Sequence, residues 1–242
     1  MNIRLMSFNT QHCLNYFTRQ IDFGAFAKTI KDLGADIVGL QEIRGEGAMR
    51  GEYEAQTEAL ASLTGFNYYF AEAIRFGGEN PYGNALLSRY PIIKAETVII
   101  PDPDPKKYNG YYETRCVLKA LIDVPGCEPL TVLVSHFGLN PDEQENAVYT
   151  VNSLMEDRRC VFMGDLNVRP DNAVLAPIRR RMTDTADGFP DWDNGHTFPS
   201  DKPRMKIDYI FVSRDIKVSS AQIPAAVISD HRPYLADVII KD

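Results

Sequence analysis

Short apolar runs alternate along this chain with single polar residues that end them. Ile3, Leu5 and Ser7 alternate with Arg4 and Met6, and the run stops at Ser7-Phe8-Asn9; a period of two predicts a first strand. Phe23, Phe26, Ala27, Ile30 and Leu33 recur at helical spacing, with Asp22 as N-cap and Gly34 just past the end. Ile37-Val38-Gly39-Leu40 predicts a buried strand ending at Gln41-Glu42-Ile43. After the linker Arg44-Gly45-Glu46-Gly47, a second helix is expected over Glu52 to Leu63, closed by Gly65. Phe66 to Ala73 and Ala85 to Ser88 read as strands, Asn80-Pro81-Tyr82-Gly83-Asn84 between them as a turn, and Ile92 to Ile100 as the next strand.

A polar loop, Pro101 to Tyr112, precedes a hairpin of Arg115–Val124 and Leu130–Val134, whose second strand ends at Ser135-His136. Pro141, followed by Asp142, Glu143 and Glu145, opens a helix reaching toward Asp157. Cys160-Val161-Phe162-Met163 is then an unbroken apolar run that stops at Gly164-Asp165-Leu166-Asn167. In extended chain Asp165 and Asn167 point the same way, at the end of a strand buried on both faces. Asp171 to Arg180 reads as a short helix with a basic end, and Thr183 to Thr197, which holds Trp192, as irregular. Ile207–Val212, Ile216–Ala221 and Tyr234–Ile240 read as strands, the last after a turn at Ile228–Pro233. About ten strands interleaved with helices predict an α/β fold. With no internal repeat or linker, one domain is expected over 1–242.

Composition adds limits. A chain of 242 residues, 44% hydrophobic, can bury a substantial core. Its net charge of -7 gives no global attraction to nucleic acid or anionic membrane, which argues against a dedicated DNA-binding protein. An enzyme meeting phosphate at a local, metal-neutralised site remains compatible with that charge. Cys13, Cys116, Cys127 and Cys160 form no C-x-x-C pair, so they read as free thiols in a reducing compartment rather than as a zinc site. No apolar run is long enough to span a bilayer, and no signal-peptide pattern opens the chain. The expectation is a cytoplasmic protein with no transmembrane segment and no obligate protein partner.

The polar residues that end apolar runs are Asn9, Glu42, His136, Asp165, Asn167, Asp208, Asp230 and His231. Singly, each has an ordinary explanation as a cap, an Asx turn or a solvated strand end. Together they are oxygen donors suited to a hard divalent ion, Mg²⁺ or Mn²⁺, beside histidines able to handle protons. Asp208 is singular in another way, because it lies inside an apolar strand.

Seven segments, in order, carry a resemblance. They are Ser7-Phe8-Asn9, Gln41-Glu42, Gly83-Asn84-Ala85-Leu86-Leu87-Ser88, Ser135-His136, Gly164-Asp165-Leu166-Asn167, Ile207-Asp208-Tyr209-Ile210-Phe211 and Ser229-Asp230-His231-Arg232-Pro233. The chain resembles the endonuclease/exonuclease/phosphatase superfamily of metal-dependent phosphoesterases over nearly its whole length. The resemblance implies a four-layered α/β sandwich, two mixed sheets packed face to face with helices outside. It implies Glu42 as principal metal ligand, with Asn9 beside it and Asp230 as a further metal-side contact. It pairs His231 with Asp208, and sets Asp165 and Asn167 to orient the attacking water and the scissile phosphate. His136 occupies a position held by histidine in the deoxyribonuclease and sphingomyelinase branches and by tyrosine in the abasic-site endonucleases. Asn84 falls near the place of that histidine's carboxylate partner in the deoxyribonuclease branch. Arg115 matches a family arginine, structural or phosphate-side.

The implied reaction is metal-assisted, in-line attack of water on a phosphoester. Either His231 or Asp165 serves as base, and His136 binds a non-bridging oxygen or protonates the leaving group. The expected substrate is a phosphodiester: nucleic acid, nucleotide or phospholipid headgroup. Substrate choice is expected in two loops, Pro101–Tyr112 with Tyr108, Tyr111 and Tyr112, and Asp187–Phe198 with Phe189, Trp192, His196 and Phe198, whose rings either stack a base, hold a lipid edge or simply pack their own loop. The alternatives are a phosphomonoesterase for a small sugar or inositol phosphate, and a non-catalytic binding module.

Overall fold

The computed structural model describes residues 1–45, 55–187 and 195–241. Among them, twelve strands form two sheets. β1 (Asn2–Asn9), β2 (Ile37–Arg44), β3 (Asn67–Phe76), β4 (Asn80–Ser88), β11 (Lys217–Gln222) and β12 (Tyr234–Ile239) make the first, in the order β11-β12-β1-β2-β4-β3. β5 (Ile92–Ile99), β6 (Cys116–Ile122), β7 (Leu130–His136), β8 (Cys160–Asp165), β9 (Met182–Asp184) and β10 (Asp208–Ser213) make the second, in the order β5-β6-β7-β8-β10-β9. Each sheet has one parallel pair at its centre, β1 with β2 and β7 with β8, and antiparallel pairs outward on both sides. The helices are α1 (Phe23–Asp32), α2 (Gln56–Thr64), α3 (Pro141–Leu154) and α4 (Ala176–Arg181).

Three apolar clusters account for the layering. Ile3, Leu5, Ile37, Leu118, Val132, Val134, Val161, Met163, Ile210 and Val212 meet between the sheets. Met6, Phe8, Val38 and Leu40 turn the other way and pack with Phe26, Ile30 and Leu60 of α1 and α2. Leu133, Phe162 and Phe211 do the same with Val148 and Val151 of α3 and Ile178 of α4. Side chains alternate across a strand, so both faces of each central strand are apolar, as the unbroken runs predict. The result is the four-layered α/β sandwich.

Parity fixes the site before any polar contact is considered. Leu5, Val134, Met163 and Ile210 face the space between the sheets. Two residues further toward one end of the molecule on the same faces stand Ser7 and then Asn9, His136, Asp165 and Asp208. In the second sheet these last three lie side by side, since His136 is level with Asp165 on β8 and Asp208 is level with Asp165 on β10.

Several boundaries differ from expectation. Asn80–Asn84 belongs to β4 rather than to a turn, and the reversal comes earlier, at Gly77 and Gly78. Gly83 lets this happen, because a Cβ there would sit 2.0 Å from the carbonyl oxygen of Ala71 on β3. β9 forms within a stretch read as irregular, pairing Asp184 with Phe211. The start expected for the second helix, and Phe189 and Trp192, lie outside the described residues. α3 begins as expected, with Asn140 and Glu143 forming a capping box.

Gly164 permits the close approach of β8 to β7. A Cβ at that position would lie 1.8 Å from the backbone oxygen of Ser135. Gly164→Ala is therefore expected to destabilise the fold by about 1–3 kcal/mol or more, as overpacking against backbone does. Urea denaturation of the two proteins measures it, and an unchanged midpoint would contradict the close packing described.

Candidate active site

Asp165 is the junction of the polar cluster. Its side chain is buried between the sheets, 1% exposed. Oδ2 accepts from Asn9 Nδ2 at 3.0 Å, across the gap from the first sheet, and Oδ1 accepts from the backbone N–H of Asn167 at 3.0 Å. Two histidines approach the same oxygen, His136 Nε2 at 3.5 Å and His231 Nε2 at 3.6 Å. Burial pushes the Asp165 carboxyl up to about 7, against the lowering effect of His231.

His231 is held from behind. Its Nδ1–H donates to Asp208 Oδ2 at 2.9 Å, which leaves Nε2 facing Asp165. The ring of Phe198 lies 4.8 Å from it, centroid to centroid. Burial alone would lower the imidazole's pKa, but Asp208 and then Asp165 outweigh it and raise it to about 10. These two acids thus favour the charged, imidazolium form of His231. Asp208 Oδ1 has no hydrogen-bond partner among the described residues. The backbone N–H of Asp208 meets Thr197 Oγ1 at 3.4 Å. These contacts explain the acid inside an apolar strand: it is the imidazole's partner.

Glu42 reaches the cluster by a different route. Gln41 carries the inward parity of β2, so a regular strand would turn Glu42 away. The register with β4 shifts between Leu40 and Ile43, and Glu42 adopts a left-handed backbone, φ 52°. A bulge of this kind re-aims a side chain. Glu42 Oε1 accepts from Asn9 Nδ2 at 3.0 Å. Burial raises the Glu42 carboxyl pKa, opposed by the Asn9 hydrogen bond and reinforced by Asp230. Asn167, also left-handed at φ 50°, places its amide nitrogen 3.1 Å from His136 Nε2 and donates to Phe137 O at 3.1 Å.

Asp165, Asp208 and His231 lie close enough for one ion, with one ligand atom of each within 4.8 Å of the others. The 2.9 Å hydrogen bond between two of them marks that trio as an oriented His–Asp pair facing a third acid. The carboxylates around Asn9 (Glu42, with Asp230 nearby) are the hard oxygen donors that a divalent ion prefers.

A buried row of acid and imidazole on two facing sheets narrows the choice of fold family. Residues 6–231 match the model of the Endonuclease/Exonuclease/phosphatase family. The chain belongs to that family. Members of the endonuclease/exonuclease/phosphatase family are phosphoester hydrolases. The chain is 25% identical over 260 residues to the protein YbhP of Escherichia coli strain K12, covering 98% of this chain and 96% of YbhP. An endonuclease/exonuclease/phosphatase protein of Beutenbergia cavernae shares the fold with a TM-score of 0.83, at 21% identity over 99% of this chain and 72% of that one. The mannosyl-6-phosphatase Bt3783 of Bacteroides thetaiotaomicron does so with a TM-score of 0.75, at 15% identity over 98% of this chain and 100% of its own.

Four of the expected site residues have partners that the sequence did not specify. Asn9 does not turn its amide oxygen to the cluster: Oδ1 accepts from the backbone of Gln11, and the amide hydrogens go to Glu42 and Asp165. Asn84 is not the partner of His136. It spans the two sheets, donating from Nδ2 to the Cys116 carbonyl at 3.1 Å. Tyr112 gives its hydroxyl to Asp142 at the start of α3, tying the loop down rather than reaching the cluster. Arg115 is enclosed, its side chain 11% exposed, and pairs with Glu113 at 2.7 Å. Tyr82 was hidden by the turn reading. It is buried beside Glu42 and hydrogen-bonded with Arg115. Glu113 and Gln144 were also missed; the latter donates to Asn167 O at 3.3 Å. None of the acids or histidines of the cluster lines the groove of about 660 Å³ between α3 and α4.

If Asp208 is what keeps His231 charged, Asp208→Asn lowers the imidazole's titration midpoint from about 10 toward the ordinary range. An NMR titration of the histidine ring protons reads this directly. A midpoint that stays near 10 would remove Asp208 from that role.

Proposed function

We propose that this chain is a divalent-metal-dependent phosphodiesterase that hydrolyses a P–O bond by in-line attack of water. The observation that carries the reading is the convergence of Asn9, Glu42, His136, Asp165, Asp208 and His231 on one buried spot from both sheets. Glu42, with Asp230 at its side, would hold the cation, and Mg²⁺ or Mn²⁺ matches an all-oxygen set. Burial already disfavours an uncompensated Glu42 carboxylate, which a bound cation relieves. When bound, such an ion supplies positive charge to a phosphoester that otherwise repels nucleophiles.

The chain's own groups divide the remaining work. His231, charged, donates from Nε2 and steadies an oxygen that gains negative charge. Asp165 keeps accepting lone pairs and takes the proton of the attacking water, which assigns the base to Asp165 rather than to His231. Asp208 holds the imidazole's orientation, and Asn9 holds Asp165 and Glu42 at a fixed separation. Asn167 stands at the same spot beside His136. Cys13, Cys116, Cys127 and Cys160 are all free thiols, consistent with a cytoplasmic setting. Among the described residues no helix is long and apolar enough to cross a membrane.

A phosphomonoesterase is the second reading, favoured by the fold shared with a mannosyl-6-phosphatase. Turnover of bis(p-nitrophenyl) phosphate with Mg²⁺ or Mn²⁺, and little of the monoester, is the expected outcome; the reverse preference selects the second reading. Glu42→Gln is expected to abolish Mn²⁺ binding by calorimetry while leaving the circular dichroism unchanged. Retained binding would move the ion away from Glu42. Because Asp165 must be ionised to accept a proton and titrates at about 7, kcat/KM is expected to rise with pH through that region. A rate that falls across the same range would sink the base assignment.

A further inference from the structure

His136 has a donor on each side and a single proton to place. Arg115 Nη1 stands 3.0 Å from His136 Nδ1. The same nitrogen contacts Glu113 Oε1 at 2.7 Å, so its two hydrogens have two destinations. A guanidinium has no accepting lone pair and does not deprotonate in proteins. The Arg115–His136 contact is therefore a hydrogen bond only if Nδ1 is bare. Arg115 is held in place by Glu113 and by the Tyr82 hydroxyl, and burial with the charge of Glu42 keeps that hydroxyl protonated.

We propose that Arg115 is a positioning residue that fixes His136 as the neutral tautomer with its proton on Nε2. The ring then presents a hydrogen-bond donor to the cluster. Nε2 lies 3.5 Å from an acceptor, Asp165 Oδ2, and 3.1 Å from the Asn167 amide nitrogen, which gives one of its two hydrogens to Phe137 O. The other amide hydrogen is left facing the ring in this tautomer, a smaller cost than turning an N–H of the ring toward the charged Arg115 guanidinium, which has no acceptor to offer. On the reading given under Proposed function, His136 would steady a non-bridging phosphoryl oxygen and would not supply the proton to the leaving group. The two histidines would thus differ in kind, one backed by a carboxylate and charged, the other backed by a guanidinium and neutral. The charged and titratable groups around His136 agree. Arg115 faces it from the start of β6, and His231 and His12 add further positive charge. Asp165 is the acid on its open side, from β8. Burial first, and Arg115 next, hold its pKa well below the ordinary imidazole value.

The test uses the intact chain labelled with ¹⁵N in its histidine rings. Long-range ¹H–¹⁵N spectra identify which ring nitrogen carries the proton. The chain has four histidines, and His136 is assigned by loss of its signals in His136→Gln. The expected result is a single neutral Nε2–H ring from pH ~5.5 to ~8. A proton on Nδ1, or uptake of a second proton near the ordinary value of about 6.5, overturns the proposal. Arg115→Met is expected to give a mixture of tautomers, and Arg115→Lys, whose ammonium also only donates, to restore the Nε2–H form. An unaltered Nε2–H ring in Arg115→Met would show that Arg115 is not the cause. If Arg115→Met does not fold, the spectrum of the unaltered chain decides the tautomer and Arg115→Gln, which removes the charge and offers an accepting oxygen beside its donors, tests its cause by the same two outcomes. No substrate or metal enters the measurement. A protein with this tautomer and no phosphoesterase activity would therefore sink the functional reading and leave the tautomer assignment standing.

Discussion

A carboxylate withdrawn from water must find other partners or give up its charge, and Asp165 is withdrawn almost completely. What replaces water comes from four places in the chain: the amide of Asn9, the backbone of Asn167, and the rings of His136 and His231. Those groups sit on both sheets. Asn9 is the only one of them contributed by the first sheet's central pair, and it also carries Glu42. The packing of the sheets against each other is thus expressed chemically at one oxygen atom. Taking away one partner leaves a buried acid under-compensated, which is costlier than never having placed it there.

The parallel pairs explain why these residues meet. β1 with β2, and β7 with β8, each end at the same rim, and each end is where an apolar face stops. Two sheets with the same internal pattern of directions bring two such ends together. Backbone strain is found there as well. Glu42 and Asn167 both take left-handed φ values that side chains other than glycine rarely adopt. Such strain persists where the surroundings over-determine it, and here a β-bulge and a hydrogen-bonded amide do so.

Much of this was legible in the residues. The polar endings of apolar runs marked Asn9, Glu42, His136, Asp165, Asp208 and His231, and the structure gathers all six. The unbroken runs Ile37–Leu40 and Cys160–Met163 announced strands covered on both faces, and they are covered. Side-chain parity tells which face a residue is on; it does not tell which atom of an amide turns inward. Asn9 and Asp165 are 156 residues apart in sequence, and only their meeting shows that Asn9 acts as a donor. The partners of Asn84 and Arg115 were hidden for a similar reason. Their neighbours, Cys116 on the facing sheet and Glu113 with His136, are set by how the sheets stack. The Asn80–Asn84 segment was misjudged because its residues favour turns, whereas pairing with β3 on one side and β2 on the other overrides that preference.

The position of β1 has a consequence for how the chain comes together. β1 precedes the other described strands in sequence, yet its place is in the interior of its sheet, with β2 on one flank and β12 on the other. Its β12 neighbour pairs Asn2 with Ile239, so half of its hydrogen-bonding edge stays unfilled until β12, far along the sequence, has been made. During synthesis that edge is an open template for strands of other molecules. The acids and histidines cannot be preassembled on a nascent fragment, because Asn9 and His231 stand at opposite ends of the sequence. The cluster is therefore completed late and all at once, and a chain broken off before His231 would carry an exposed strand edge without a finished cluster.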